Sequence, residues 1–176
     1  MHLTTRLRDS SAVAFQGVQP VDMRQDAVIP DLLPTDDRLW VPLDPGVWTR
    51  PLSFDVTHGS YIHVMRVTRQ GIIARHRHTG PVHAIILKGE WHYLEHDWVA
   101  SEGGFAYEPP GETHTLVVPE SCREMITVFS VVGALIYVAP DGTAMGYDDV
   151  FTRLELTRQH FAAVGVGSAA LESMIR

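Results

Sequence analysis

Apolar and polar residues alternate in short runs through the middle of the chain, and turn residues separate the runs. Residues 61–68, 71–78, 83–87, 90–94, 105–107, 115–118, 125–132 and 135–138 read as strands. Gln70-Gly71, Thr79-Gly80-Pro81, Lys88-Gly89, Glu95-His96-Asp97 and Pro109-Pro110-Gly111 supply the turns. Short strands at this pitch predict an antiparallel sandwich or barrel, an all-β fold. After Asp148-Asp149 the period lengthens. Val150/Phe151, Leu154 and Phe161 fall near helical spacing, with Arg153, Glu155 and Arg158 between them. Asp148 is the predicted N-cap, Gly165 the stop, and Ser168 the start of a second short helix reaching Ile175. These helices are expected outside the barrel, and the pattern assigns them no chemistry. Before residue 53, Pro20, Pro30, Pro34, Pro42, Pro45 and Pro51 block helix interiors and predict an extended arm with short strands or turns. Its apolar pieces, such as Leu32-Leu33 and Leu39-Trp40-Val41, are suited to docking on the sheet or on a second subunit. The expected division is an arm (1–52), a barrel (53–146) and a C-terminal helical segment (147–176), all in one domain.

Composition narrows the partners more than the fold. With 176 residues, 45% of them apolar, the chain can bury one substantial core. A formal net charge of −7 argues against a nucleic-acid surface, which needs clustered Lys and Arg. No apolar run has the length of a membrane span, and the first residues lack the apolar stretch of a secretory signal. Cys122 is the only cysteine, so an intrachain disulfide is impossible and a cytoplasmic setting is expected.

The chemistry gathers in two stretches, Gly71-Ile-Ile-Ala-Arg-His76-Arg-His78-Thr-Gly80 and Gly103-Gly-Phe-Ala-Tyr-Glu-Pro109-Pro-Gly111-Glu-Thr-His114. Residues two apart on a strand share a face, so His76 and His78 can point into one cavity. His114, at a turn–strand junction, can complete a three-nitrogen face for a divalent transition metal. A lone buried histidine is more often a satisfied core group than a ligand. The second stretch, arriving in the right order, is what favours metal.

The two stretches resemble the two motifs of the cupin superfamily. The first has the form Gly, spacer, His-x-His, three or four residues, Glu, six residues, Gly. His76, His78 and Gly89 fit it, but Val82 stands where the metal-binding Glu is usual. The second, Gly, five residues, Pro-x-Gly-x-x-His, is matched by Gly103, Pro109, Gly111 and His114, with Val118 in place of a usual Asn. The resemblance implies a jelly-roll barrel holding a metal on His76, His78 and His114. A carboxylate from elsewhere, Glu95 or Glu108, remains open as a fourth ligand. Barrels of this superfamily commonly pair, so a homodimer is expected.

A narrower resemblance covers most of the chain. The run from His76 to His83, then 88–98, then 107–115 is similar to the 2,4'-dihydroxyacetophenone dioxygenase family. It implies Fe(II) on the three histidines and cleavage of an aryl α-hydroxyketone by O2, giving 4-hydroxybenzoate and formate. Trp91, Tyr93 and Tyr107, with Trp98 and Phe105, are candidate substrate walls. Glu108, just before the Pro-x-Gly turn, is the candidate catalytic group, as proton acceptor or as support for a ligand imidazole. The competing readings are a dioxygenase for another diketone or hydroxyketone, and a zinc-binding sensor cupin without catalysis.

Overall fold

A computed structural model of the chain describes residues 14–23 and 26–176. The alternating runs become twelve strands: β1 (Val41–Asp44), β2 (Val47–Asp55), β3 (Ser60–Val67), β4 (Gly71–His78), β5 (Val82–Lys88), β6 (Glu90–Tyr93), β7 (Ala100–Ser101), β8 (Phe105–Glu108), β9 (Thr113–Val118), β10 (Met125–Val132), β11 (Leu135–Val138) and β12 (Ala144–Asp148). They form two six-stranded antiparallel sheets, ordered β1-β2-β3-β10-β5-β8 and β12-β11-β4-β9-β6-β7. One set of alternating apolar positions faces the opposite sheet. Phe54, Tyr61, Val82, Ile86, Trp91, Leu116, Phe129 and Val131 fill the space between the sheets.

The barrel begins earlier than the proline pattern suggested. β1 and β2 belong to the first sheet although they contain Pro42 and Pro51, so its boundary lies near 41 rather than 53. Pro51 sits beside a register shift against β3, between Pro51 and Ser53, where the ladder is already irregular. Upstream, the arm docks on its own sheet. Leu32 and Trp40 pack with Trp48, Val64 and Ile126 on the outer face, and the Arg66 guanidinium lies 5.8 Å from the Trp40 and Trp48 ring centroids. Residues 1–13, also assigned to the arm, lie outside the described residues.

Two helices follow, α1 (Val150–Val164) and α2 (Ser168–Glu172). The α1 cap is Asp149, one residue later than expected. Its side chain accepts from the Phe151 and Thr152 amides, and the Thr152 side chain answers the Asp149 amide in a capping box. That leaves Asp148 free to bond elsewhere. α1 ends where predicted, at Gly165 with φ 73°. α2 stops three residues before Ile175 and takes Gly167, not Ser168, as its cap, without a side-chain bond. Val150, Leu154 and Phe161 of α1 enter the main core. No helix among the described residues is long and apolar enough to cross a membrane.

Gly80 closes the strand that carries His76 and His78. A Cβ there would stand 2.3 Å from the Val132 carbonyl oxygen, a backbone atom that cannot swing aside. Gly80→Ala is therefore expected to destabilise the fold by about 2 kcal/mol or more, measured by urea denaturation, because the end of β4 must move off β10.

Candidate metal centre

Register brings the site together. On β4, His76 pairs directly with His114 of β9 on one side and with Tyr137 of β11 on the other. Directly paired antiparallel residues project from the same face, so Tyr137, His76 and His114 make one inward row, and His78 joins it two positions along. The Pro-Pro-Gly turn sets this register. The Gly111 amide donates to the His78 carbonyl at 2.8 Å, and the His78 amide donates to the Glu112 carbonyl at 3.2 Å. Gly111 has φ 94°, a backbone state that disfavours any side chain.

All three imidazoles are buried, and their nitrogens lie within 4.8 Å of one another. The His76 and His78 rings stack at 4.8 Å, and His78 meets His114 edge-on at 4.6 Å. The Nε2 atoms of His78 and His114 are 3.0 Å apart. Two ligands at right angles, each about 2.1 Å from one ion, would stand about 3.0 Å apart. The residues therefore fit a metal of the Zn or Fe size class. Without one, a single proton must serve both nitrogens.

Glu108 completes the ring of polar groups. It pairs with Val82 across β8 and β5, so a carboxylate reaches the side of the site that Val82 leaves empty. Its Oε2 lies 3.3 Å from His78 Nε2 and 3.7 Å from His114 Nε2, and accepts a 2.8 Å bond from the Tyr93 hydroxyl. Burial pushes the Glu108 carboxyl up to about 7, against the opposing pull of the Tyr93 bond. Burial also lowers His78 to about 4 and His114 to about 3, and drives His76 well below the ordinary value. Desolvation thus outweighs attraction between Glu108 and the imidazoles, and it leaves the rings in the neutral form that a metal needs. Glu95 lies outside this ring of groups: its carboxylate is taken by the Thr115 amide and hydroxyl at 2.7 and 2.9 Å.

The histidines and Glu108 open on a cavity of about 570 Å³, whose apolar wall includes Met65, Leu116, Phe129, Val131 and Leu135. Tyr93 lines it and stacks on His114 with ring centroids 3.5 Å apart. Four of the five expected wall residues, Trp91, Trp98, Phe105 and Tyr107, do not line it. Tyr107 alternates with the inward Glu108, so it points outward and is 56% exposed beside Phe105. Trp91 is fully buried in the core, with its indole N–H donating to Thr127. Trp98 packs on Trp91 and Tyr93 away from the cavity.

Other wall residues carried too little signal to be found from sequence. His63 is buried against Thr49 at 2.8 Å, Tyr137 hides in a four-residue strand, and Arg153 reads as a polar position of a surface helix. The only available hint was parity: His63 lies two residues from the apolar Tyr61 and Met65 on one strand face.

A family model for the ChrR cupin-like domain matches residues 30–136. The chain belongs to the ChrR cupin-like domain family. Among solved structures, the cupin resembles an RmlC-like cupin protein from Ralstonia eutropha JMP134, with 27% identity over 73% of this chain and 84% of that one and a TM-score of 0.70. It is also similar to a cupin-like protein of unknown function from the same organism (22% identity, 80% and 91% covered, TM-score 0.67). An acetylacetone dioxygenase from Acinetobacter johnsonii shares the fold at 15% identity, with 78% and 97% covered and a TM-score of 0.65. No curated protein sequence matches the chain.

Four buried imidazoles held neutral make the metal-free cupin acid-sensitive. Burial lowers His63 as well, to about 3. The unfolded chain then binds more protons than the folded one at any pH between the ordinary 6.5 and these lowered values. Glu108, raised to about 7, binds one extra proton in the folded chain over the same range and offsets one of the four histidines. Stability is therefore expected to fall, less steeply than the histidines alone would give, as pH drops from about 6.5 toward 4. Urea midpoints across that range would check it, and His63→Gln should reduce the slope by about one proton.

Proposed function

We propose that this cupin is a non-haem Fe(II) dioxygenase that cleaves the C–C bond between the carbonyl and carbinol carbons of an aryl α-hydroxyketone. The observation that carries the reading is the convergence of three buried, neutral imidazoles on a largely apolar cavity with one proton-accepting carboxylate beside them. His76, His78 and His114 would hold the ion. When bound, iron supplies open coordination positions and the redox chemistry that dioxygen needs. An all-histidine set leaves the ion its full charge, which suits a chelating, acidic keto-alcohol.

The chain's own residues do the rest. The apolar wall of Met65, Leu116, Phe129 and Leu135 receives the aryl ring and excludes water. Glu108 Oε2, oriented by the Tyr93 hydroxyl, takes the proton from the substrate hydroxyl. Burial holds this carboxyl up, to about 7 in the metal-free protein, and a bound cation would draw it back toward the carboxylate form that accepts a proton. Hydroxyketone plus O2 balances to one aryl carboxylic acid and formate, so no external reductant is consumed. For 2,4'-dihydroxyacetophenone, the substrate suggested by the family resemblance, the acid is 4-hydroxybenzoate. The acetylacetone dioxygenase that shares the fold is named for a ketone and for dioxygen, which supports the reaction class by analogy only.

A zinc-binding sensor without catalysis is the second reading. It is favoured by the family match itself, whose model is named for ChrR rather than for an enzyme.

Metal analysis of untagged protein, followed by oxygen uptake with 2,4'-dihydroxyacetophenone, separates the two. Iron with one formate released per O2 supports the dioxygenase, whereas tightly held zinc and no uptake supports the sensor. His76→Ala, His78→Ala and His114→Ala are each expected to lose the metal while keeping β-rich circular dichroism; an iron-replete, active variant would remove that histidine from the ligand set. Glu108→Gln is expected to keep iron and lower kcat about 100-fold or more, and unchanged kinetics would end its proposed role.

A further inference from the structure

Arg153 sits where a surface helix would not be expected to place an unsatisfied cation. It is 7% exposed and lines the same cavity as His76, His78 and Glu108. One of its nitrogens, Nη2, is taken by the Asp148 carboxylate at 2.6 Å and the Tyr137 hydroxyl at 3.3 Å. Tyr137 in turn donates to Asp148 at 2.5 Å. The other two, Nε and Nη1, are buried and meet no acceptor among the described residues. The hydroxyl of Tyr61, on the facing sheet, is buried beside the guanidinium without a well-formed hydrogen bond to it. Leaving charged donors dry and unpaired is costly, and a helix anchor would be served by the Asp148 pair alone.

Position relates this corner to the histidines. Tyr137 is the direct strand partner of His76, with ring centroids 6.4 Å apart. On the opposite sheet Tyr61 pairs with Val131, Val131 with Val82, and Val82 with Glu108. The cavity thus carries polar groups at the histidines and Glu108 and, on the other side of His76, at Tyr137 and Arg153, with Val82 and Val131 on the facing wall.

We propose that Arg153 is a substrate-binding residue whose unspent N–H groups receive a carboxylate at the far end of an aryl hydroxyketone, while the keto-alcohol end faces the histidines. This rests on the function proposed above and narrows its substrate class to acidic aryl ketones. A guanidinium donates most strongly to an ionised oxygen, and Asp148 already neutralises only one side of it.

The test is calorimetric titration of the metal-loaded protein with 2-hydroxyacetophenone and with its 4'-carboxylate. Wild type is expected to bind the carboxylate about tenfold or more tightly. In Arg153→Gln, and in Arg153→Gln/Asp148→Asn, which leaves no carboxylate stranded, that preference should fall to about twofold or less. Affinity for the uncharged probe should stay within about threefold. Absence of the preference in wild type, its survival in a folded variant, or an equal loss for both probes would each overturn the proposal, the last by making Arg153 a structural latch. Repeating the titrations after chelation separates the two readings. A carboxylate preference that persists while neither probe responds to metal would sink the metal-centred function and leave Arg153 as the anion site.

Discussion

The pairing of β4 with β9 is the constraint from which the rest follows. His76 stands opposite His114, and both point inward only because the strand-to-strand register places them so. A slip of one residue would turn every histidine of β4 to the outer face and bring Arg75 and Arg77 in. The turn at Gly111 prevents that slip by bonding back to His78, the last residue of the strand it must match. The same row carries Tyr137, and the facing row carries Glu108, Val82, Val131 and Tyr61. Two lines of side chains thus meet across one cavity, and their ends have different chemistry.

Burial gives those side chains their protonation states. An imidazole in contact with a carboxyl would ordinarily gain a proton, yet at His78 and Glu108 desolvation acts on both partners and moves each toward neutrality. The result is a site whose nitrogens are free to donate lone pairs and whose carboxyl holds its proton loosely near neutral pH. At the other end the balance differs. Burial opposes the charge of Arg153, but the Asp148 carboxylate at 2.6 Å outweighs it, so the cavity keeps a fixed positive donor even where its walls are apolar.

What could be read in the sequence was local. The His-x-His spacing, the Pro-x-Gly turn and the alternation of strands 71–78, 125–132 and 135–138 are each set within a few residues, and the structure has those elements at those bounds. Cross-strand relations were not legible. Nothing near Val82 in sequence announces that Glu108 stands beside it, and the parity that turns Glu108 inward turns Tyr107 to solvent. Prolines hid β1 and β2, because a proline beside a register shift costs a strand little. Arg153 read as an ordinary polar position of a helix. Its partner Asp148 has the sequence position of a helix cap, a role that Asp149 fills one residue later.

The valine at 82 bears most directly on how the site would work. A glutamate there would project from β5 beside the histidines as a fixed anionic ligand. Supplying the carboxyl from β8 instead displaces its origin by one strand, about 5 Å, and brings it within reach of Tyr93 from the opposite sheet. A carboxyl anchored by a phenol and raised by burial is better suited to carrying a proton than to serving as a permanent anion at the metal. The substitution that weakens the motif match therefore agrees with the chemistry proposed. It leaves the imidazoles as the principal donors, keeps the charge of a bound ion high, and places the one exchangeable proton next to the position a chelating hydroxyl would take.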